Sequence, residues 1–395
     1  MERHVYLDNN ATTMVAPEVL EAMLPFYRDK YGNASSMHYF GGRVARDMEN
    51  ARNQVAQILG AEHDFEITLT GSATESDNLA IRGITSYYKN KKHFITSATE
   101  HPAVLNMGTQ LEKEGYRVTF VPVKSDGVVD VDFLKNAVDD DTALVSIMHA
   151  NNETGVINPV EEIGVFLKER GIPYHIDGVQ AAGKIPIDVN KCHCDLYSIS
   201  AHKFHGPKGV GALYVRKGTR MRPLIFGGHQ EKGRRPGTEN VPGVVGMGKA
   251  AEMALDHLKD MPKVAALRDK LQNGILSGIK TSTLNGAADK RTPNTLNVSF
   301  EFIEGESILL YLDRKGIYVS TGSACSSGSL EPSHVLRAMK LPFSKIHGSI
   351  RFSLSRYTTV DEINYTLNEI PEVVDTLLEI SPFWDNEKQV GKVPE

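Results

Sequence analysis

From about position 65 onward, the chain alternates short apolar runs rich in β-branched residues with amphipathic stretches. This alternation is typical of a mostly parallel sheet that is covered by helices on both faces. We expect strands over 65–70, 93–98, 117–123, 143–149, 174–179, 195–200 and 211–215, and helices over 75–89, 102–114, 131–137 and 160–170. The stretch 180–183 is too short for a crossover helix, so the strand order around it stays open.

A Gly/Pro-rich stretch over 227–248 precedes a second region with a different pattern. A long helical pattern over 249–277 leads into strand candidates at 295–302 and 317–320 and helix candidates at 306–315 and 359–380, which indicates an α+β unit. We therefore expect a large α/β domain over 15–259 and a smaller α+β domain over 260–395 that carries the loop around Cys325. The N-terminal segment 1–14 is expected to pack with the small domain.

Composition excludes several classes of protein. Hydrophobic residues make up 41% and charged residues 24% of the 395, which is ordinary for a folded chain and excludes disorder or fibrous repeats. The net charge of −5 offers no basic field for a nucleic acid, and no uncharged apolar run approaches the ~18 residues of a membrane span. The N-terminus has no apolar core of signal-peptide length, and only three cysteines occur. These features predict a cytoplasmic protein in a reducing compartment.

A turn between a predicted strand and a predicted helix has the composition of an anion site. It reads Thr-Gly-Ser-Ala-Thr-Glu over 70–75 and includes Ala73 and Thr74. Small residues let the backbone close on a phosphate, and the helix N-terminus supplies free N–H groups. The alternative is a plain capped helix start, which uses the same residue types.

A carboxylate and a lysine end two other strands. Asp177 ends an apolar strand, and Lys203 follows 26 residues later in Ser200-Ala201-His202-Lys203. A lysine there is either a surface residue or an amine placed for Schiff-base chemistry. Pyridoxal phosphate needs both groups, an acid at its ring nitrogen and an amine at its aldehyde carbon.

Three further polar residues follow strands. His101 precedes Pro102 and is either a helix-entry residue or an imidazole that stacks on a planar ring and moves protons. Asn152 and Gln180 end strands and are suited to hydrogen bonds with a cofactor oxygen or a carboxylate, or with their own turns.

The second region carries one reactive candidate and one cation. Cys325 lies among small polar residues over 320–329, a setting typical of an exposed reactive thiol and less typical of an inert buried one. Arg351 alternates into a strand-like run, where it either grips a substrate carboxylate or forms an ion pair.

Motifs for other chemistries are missing or weak. We find neither a dinucleotide-binding Gly-x-Gly-x-x-Gly after a strand nor a P-loop. The cluster Cys192-His193-Cys194 has one residue between its cysteines where zinc sites normally have two to four, so we predict no metal site.

Five segments together resemble the cysteine desulfurases, pyridoxal-phosphate enzymes that mobilise sulfur. They are Tyr-Leu-Asp-Asn-Asn-Ala-Thr-Thr (6–13), Ala-Thr-Glu-Ser-Asp-Asn (73–78), Ser-Ala-His-Lys-Phe-His-Gly-Pro-Lys-Gly (200–209), Arg-Arg-Pro-Gly-Thr-Glu-Asn (234–240) and Gly-Ser-Ala-Cys-Ser-Ser-Gly-Ser-Leu-Glu-Pro-Ser-His (322–334). The resemblance runs nearly end to end and is greatest to the nitrogen-fixation branch.

The resemblance implies a fold, a reaction and a set of roles. It implies the α/β fold of pyridoxal-phosphate-dependent transferases (fold type I), a homodimer, and conversion of L-cysteine to L-alanine with a persulfide left on the enzyme for an iron–sulfur scaffold protein. In this numbering it implies the following roles: Lys203 as the Schiff-base lysine, Asp177 at the ring nitrogen, His101 over the ring, Gln180 at the ring oxygen, Ala73, Thr74, Ser200, His202 and the partner subunit's Thr238 around the phosphate, Asn152 and Arg351 at the substrate carboxylate, and Cys325 as sulfur acceptor.

Two other classes of protein make different predictions. A pyridoxal enzyme of another type, such as an aminotransferase or a lyase, has no use for a nucleophilic thiol. A non-catalytic sulfur or metal carrier built on the three cysteines has no use for pyridoxal phosphate.

Overall fold

A computed structural model describes residues 3–321, 332–385, 387 and 390–391. The helices are α1 (Pro17–Met23), α2 (Pro25–Arg28), α3 (Tyr39–Leu59), α4 (Ala73–Tyr87), α5 (Pro102–Lys113), α6 (Val131–Ala137), α7 (Val160–Glu169), α8 (Val241–His257), α9 (Met261–Gly278), α10 (Gly305–Arg314), α11 (His334–Ala338), α12 (Phe343–His347) and α13 (Val360–Ile380). The strands are β1 (Val5–Tyr6), β2 (Ile67–Thr70), β3 (His93–Ser97), β4 (Arg117–Val121), β5 (Thr142–Ser146), β6 (Tyr174–Asp177), β7 (Leu196–Ser200), β8 (Gly211–Val215), β9 (Ser282–Leu284), β10 (Thr295–Phe300), β11 (Ile317–Tyr318), β12 (Ser320–Thr321), β13 (Ser349–Ser353), β14 (Trp384–Asp385) and β15 (Val390–Gly391).

A seven-stranded sheet forms the centre of the fold, in the order β2-β8-β7-β6-β5-β3-β4. Only β8 runs antiparallel to its neighbours, so the prediction of a mostly parallel α/β sheet is confirmed. Successive residues on one strand belong to cores on opposite faces: Phe94 belongs to the core that includes residues of α4 and α5, and Ile95 belongs to the core that includes residues of α3 and α8. The pleat of the strands produces this alternation, and helices therefore cover both faces.

All seven predicted strands of this region are present, with ends that differ by up to a few residues. The stretch 180–183 forms turns, and β6 and β7 are parallel neighbours although the chain between them contains no helix. The predicted helix over 249–277 is wrong in its bounds. It is two helices, α8 and α9, joined by a 3-10 turn over Leu258–Asp260, and Pro262 stands in the first turn of α9. Proline has no N–H to donate inside a helix, so it favours a new start there.

The 21-residue helix α3 lies before the region in which sequence periodicity predicted elements. It begins after His38, whose ring accepts a hydrogen bond from the Gly41 amide, and ends at Gly60, which has a φ of 65°. That left-handed conformation is open to glycine without strain. Residues of α3 join the larger core, where this helix packs on α8.

A second, antiparallel sheet has the order β12-β13-β10-β9 and is covered by α9, α10 and α13. Its core includes Val5 and Leu7, because β1 pairs in parallel with β11 and brings the N-terminal segment onto this unit. The helix α13 begins at a capping box, in which Thr359 and Glu362 satisfy each other's backbone amides. The division of the chain at residues 14 and 259 stays a prediction.

Within the described residues, none of the helices has the combined length and apolar composition that crossing a bilayer requires.

Candidate active site

A cavity of about 300 Å³ lies where β6 and β7 end and where α4 and α5 begin. Ligands of open α/β sheets bind at this carboxyl edge. The cavity is lined by Asn10, Ala11, Ser72, Ala73, Thr74, Asp77, His101, Met148, Asn152, Asp177, Val179, Gln180, Ser200, His202, Lys203 and Arg351. Ten of the twelve site residues predicted from the sequence are among them, and the two exceptions are Thr238 and Cys325.

Asp177 and Lys203 face this cavity from neighbouring strand ends. Asp177 is 5% exposed and accepts a hydrogen bond of 3.0 Å from the Val179 amide. Burial raises the pKa of Asp177 to about 6, although the Val179 amide and the charge of Lys203 act in the opposite direction. An acid held in this way is suited to a cationic partner inside the cavity, because an opposite charge would favour its ionised form.

The N-terminus of α4 forms one end of the cavity. Ser72 is the N-cap and accepts a hydrogen bond from the Glu75 amide, while Ala73 and Thr74 open the helix. The first N–H groups of a helix have no partner within it, so they are available to an anion. Ser200 and His202 line the same cavity. The residues that cap and open this helix are therefore the same residues in which we predicted an anion site.

His101 has the structural role that its sequence allowed, and it also lines the cavity. It is the N-cap of α5, and its Nδ1 accepts a hydrogen bond of 3.1 Å from the Ala103 amide. Burial, together with the charges of Lys203 and His334, lowers the pKa of His101 to about 4. The imidazole is therefore neutral near pH 7, with Nδ1 as acceptor and Nε2 as the remaining N–H.

Arg351 and Asn152 form the opposite end of the cavity. Arg351 lies on β13 of the second sheet, is 2% exposed, and donates from Nη1 to the Asn152 carbonyl at 3.0 Å. Its Nη2 donates to Asp8 Oδ1 at 2.6 Å. The ion pair that the sequence left open is present, and the side chain also lines the cavity, whereas its binding of a substrate carboxylate stays a prediction.

The N-terminal segment contributes residues that sequence reasoning did not assign. The backbone carbonyls of Asn10 and Ala11 accept hydrogen bonds from Lys203 Nζ at 2.6 and 2.9 Å. Gln180 Nε2 also donates to the Asn10 carbonyl, at 3.0 Å, and Gln180 Oε1 accepts a bond from buried Lys184. The signal that could have identified Asn10 is the segment 6–13, which carried part of the family resemblance.

Sequence reasoning also missed two buried carboxyl groups, one of which, Asp77, lines the cavity. Asp77 is 1% exposed on α4, and Glu100 is fully buried before α5. Burial, together with the charge of Asp177, raises the pKa of Asp77 well above its usual range, and burial does the same for Glu100. These groups lie within helical or turn sequence in which a carboxylate is normally solvated, so the sequence alone offered no signal for their burial.

Thr238 does not line the cavity. Thr238 is exposed and lies on a separate pocket of about 90 Å³, beside Gly71 and Arg235. Cys325 lies outside the described residues. Cys192 and Cys194 are buried, and burial raises the pKa of both thiols. No group of three or more His, Cys, Asp or Glu side chains within the described part of the chain is placed to hold a metal ion.

Comparison with known proteins gives one consistent result. The aminotransferase class-V family matches residues 5–366. A cysteine desulfurase of Nostoc sp. strain PCC 7120 is 54% identical over 97% of this chain and 96% of its own length, and the cysteine desulfurase NifS of Azotobacter vinelandii is 50% identical over 96% and 95%.

Solved structures agree with these sequence relatives. A NifS-like protein superposes with a TM-score of 0.90 at 44% identity and covers 95% of this chain and all of its own. The structure titled "SspA in complex with cysteine" has a TM-score of 0.79 at 36% identity, covering 90% of this chain and 99% of its own. The chain thus belongs to the aminotransferase class-V family and, within it, to the cysteine desulfurases.

Proposed function

We propose that this cysteine desulfurase uses pyridoxal phosphate, bound in the cavity between Asp177 and Lys203, to convert L-cysteine to L-alanine and to transfer the sulfur to Cys325. The observation that carries the proposal is the meeting of an anion-binding helix start, a buried acid, a lysine and a buried arginine in one cavity. Separately these features have ordinary structural explanations. Together they match the functional groups of the cofactor and of an amino-acid substrate.

The residues present fit the cofactor. The cavity volume of about 300 Å³ is within the range of small-molecule sites, roughly 300–1,000 Å³. Asp177 is buried and has a raised pKa, and a protonated pyridine nitrogen would supply the opposite charge that its ionised form needs. The α4 N-terminus with Ser200 and His202 suits a phosphate, and Gln180 Nε2 suits the ring oxygen.

Each residue has a distinct task. Bound pyridoxal phosphate supplies an electron-withdrawing ring that accepts the electron pair left when the Cα proton is removed. Lys203 would hold the cofactor through its ε-amine and would also take the Cα proton of the substrate. His101 is neutral near pH 7 with its proton on Nε2, so it is suited to stack on the ring, to donate that proton and to take it back. Arg351 and Asn152 bind the substrate carboxylate.

Sulfur transfer requires a thiol from the chain itself. The Cys325 thiolate attacks the substrate sulfur, the C–S bond breaks, and carbon takes a proton, so that cysteine and thiol become alanine and persulfide. Cys192 and Cys194 are buried with raised thiol pKa values, so neither is suited to this attack. The persulfide sulfur is destined for an iron–sulfur scaffold protein, in the cytoplasm.

Assembly completes the site. We include in the proposal a homodimer in which the partner subunit's Thr238 reaches the cofactor phosphate. Thr238 is exposed and does not line its own chain's cavity, which supports a role towards another subunit.

The test is to incubate the purified protein, loaded with pyridoxal phosphate, with L-cysteine and a thiol reductant, and to measure alanine and sulfide. We expect equal amounts of both, and a persulfide on Cys325 by mass spectrometry when the reductant is omitted. Cys325→Ser should still bind the cofactor and stop before alanine release, whereas Cys192→Ala serves as the thiol control. Alanine formation that survives in Cys325→Ser, or a colourless protein that does not respond to the cofactor, would overturn the proposal.

A further inference from the structure

Backbone pairing fixes Asp8 beside Arg351. Asp8 forms a parallel bridge with Ser353, the Asn9 amide donates to the Ser353 carbonyl at 3.1 Å, and the Ser353 amide donates to the Leu7 carbonyl at 2.7 Å. Arg351 lies two residues before Ser353 on β13, so its side chain projects from the same face of the strand. The ion pair is therefore built from two adjoining strand-like segments that are 343 residues apart in sequence.

The guanidinium of Arg351 is held at two of its three nitrogen atoms. Nη2 donates to Asp8 Oδ1 at 2.6 Å and Nη1 donates to the Asn152 carbonyl at 3.0 Å. Nε is buried and, within the described residues, has no hydrogen-bond partner. A planar guanidinium offers two edges for bidentate binding, one with Nη1 and Nη2 and the other with Nε and Nη2. The two protein acceptors engage the Nη atoms and leave the Nε position without a protein acceptor.

A buried guanidinium also needs a compensating charge. The side chain of Arg351 is 3% exposed, and that of Asp8 is 20% exposed. The other charged groups around it are Lys184, which is buried, and Glu153, for which burial raises the pKa to about 7. Asp8 is the acid in direct contact, so it supplies the charge that keeps this cation in place.

We propose that Asp8 is a positioning residue for substrate recognition: it holds Arg351 by Nη2 so that the guanidinium stays at the cavity, where it binds the α-carboxylate of the amino-acid substrate. This inference rests on the proposed function, because it takes the cavity as the site of L-cysteine. Asp8 itself does not line the cavity, so it acts through Arg351.

The competing arrangement makes the opposite prediction. If Asp8 occupied the place of the substrate carboxylate, each substrate molecule would have to displace it. Removal of the Asp8 charge would then tighten the binding of carboxylates, whereas loss of a positioning residue weakens it. The sign of the effect decides between the two.

The experiment uses two amines that differ by one carboxylate and do not lose sulfur. L-alanine and ethylamine are titrated into the protein loaded with pyridoxal phosphate, and the change in the visible absorption of the cofactor gives an apparent Kd. We expect Asp8→Asn to weaken L-alanine binding by about tenfold, the scale of one charge-assisted hydrogen bond. Ethylamine binding should stay unchanged, and Asp8→Glu should keep the affinity for L-alanine within about threefold.

A matched control removes another ion pair between an aspartate oxygen and an arginine Nη2 at the same distance, elsewhere in the chain. Asp139 accepts from Arg117 Nη2 at 2.6 Å on the edge strand β4, so Asp139→Asn should bind both amines as the wild type does.

In turnover, Asp8→Asn should raise KM for L-cysteine by about the same tenfold while kcat changes by less than about threefold. If Asp8→Asn does not fold, as judged by circular dichroism, Asp8→Ser removes the same charge and carries the same expectation.

Two results would overturn the inference: L-alanine affinity that is unchanged or higher in Asp8→Asn, or an equal loss for L-alanine and ethylamine. Failure of the proposed function would look different, because the wild-type protein would then form no alanine from L-cysteine. Normal wild-type turnover together with an unchanged L-alanine to ethylamine ratio rejects the role of Asp8 alone.

Discussion

The side-chain nitrogen of Lys203 donates a hydrogen bond of 2.6 Å to the backbone carbonyl of Asn10. The two residues are 193 positions apart, and the bond joins the carboxyl edge of the large sheet to the N-terminal segment. Because Leu7 belongs to the core of the second sheet, the same segment connects the cavity with that hydrophobic core. The proposed reaction of the Lys203 amine with the cofactor would change these contacts, and it would thereby couple cofactor binding to the N-terminal segment.

Lys203→Ala should abolish turnover and the visible absorption of the bound cofactor while the fold survives. The ε-amine is the group that we propose forms the Schiff base. Its loss removes one donor from the Asn10 carbonyl, which keeps Gln180 Nε2, and the donor of the Ala11 carbonyl, at a cost of about 1 kcal/mol in unfolding free energy. Absorption spectroscopy after loading with pyridoxal phosphate measures the first effect and urea denaturation the second. The exposed Lys208 in the same loop gives the control Lys208→Ala, which should keep both properties. A lysine-type spectrum in Lys203→Ala would refute the assignment.

Sequence reasoning was most successful for features that follow from a local sequence pattern or from a family motif. The strands that end at Asp177 and Ser200 are buried along their whole length, as a central strand of such a sheet should be. Ten of the site residues that the resemblance implied line one cavity, and their roles stay predictions. It was least successful for contacts that depend on an element far away in the sequence. The contacts of Asn10 and Asp8 form because the N-terminal segment pairs with β11 and β13. This segment is too short to show a periodic pattern of apolar residues from which that pairing could be predicted.

Asp77→Asn should change the unfolding free energy by less than about 1 kcal/mol, because an amide resembles the protonated carboxyl group that burial favours. Burial raises the pKa of Asp77 well above its usual range, and the neighbouring His175 Nε2, 3.5 Å away, is held neutral because burial lowers the pKa of that histidine to about 3. Asp77→Ala should cost about 1–3 kcal/mol, since buried polar neighbours lose a partner. Urea denaturation at pH 7 measures both. An Asp77→Asn loss as large as that of Asp77→Ala would show that the native group is ionised.

Glu153 should make the protein less stable as the pH rises. Burial raises the pKa of Glu153 from 4.5 to about 7, although Ser333, which donates to Glu153 Oε2 at 2.5 Å, and Arg351 favour the ionised form. Between these two pH values the folded chain holds a proton that the unfolded chain has released. The stability contributed by Glu153 is therefore present below pH 4.5 and is lost as the pH rises through about 7, by about 3 kcal/mol in full.

The comparison of wild type with Glu153→Gln isolates this effect. Glutamine keeps an acceptor for Ser333 and cannot ionise, so the variant should gain stability relative to the wild type between pH 4.5 and 7. Urea denaturation across that range measures the difference, and the exposed Glu112 supplies the control Glu112→Gln. A constant difference between wild type and Glu153→Gln across the range would contradict the assignment.

Thr238 provides the test of assembly, because it is exposed and lies away from its own chain's cavity. If the partner subunit's Thr238 binds the cofactor phosphate, Thr238→Ala should weaken pyridoxal-phosphate binding by about 1–3 kcal/mol, the scale of a hydrogen bond to a charged group.

A dimer of one wild-type chain and one Lys203→Ala/Thr238→Ala chain, purified through two different tags, has a single lysine-bearing site. In that site the lysine comes from the wild-type chain and the threonine of the partner is missing, so affinity should fall as in Thr238→Ala. A wild-type chain paired with Lys203→Ala alone is the matched control and should keep full affinity at its one site. Full affinity in the first hybrid would mean that the threonine acts within its own chain or not at all, and the reduced affinity that we expect arises only if each site borrows its threonine from the other subunit.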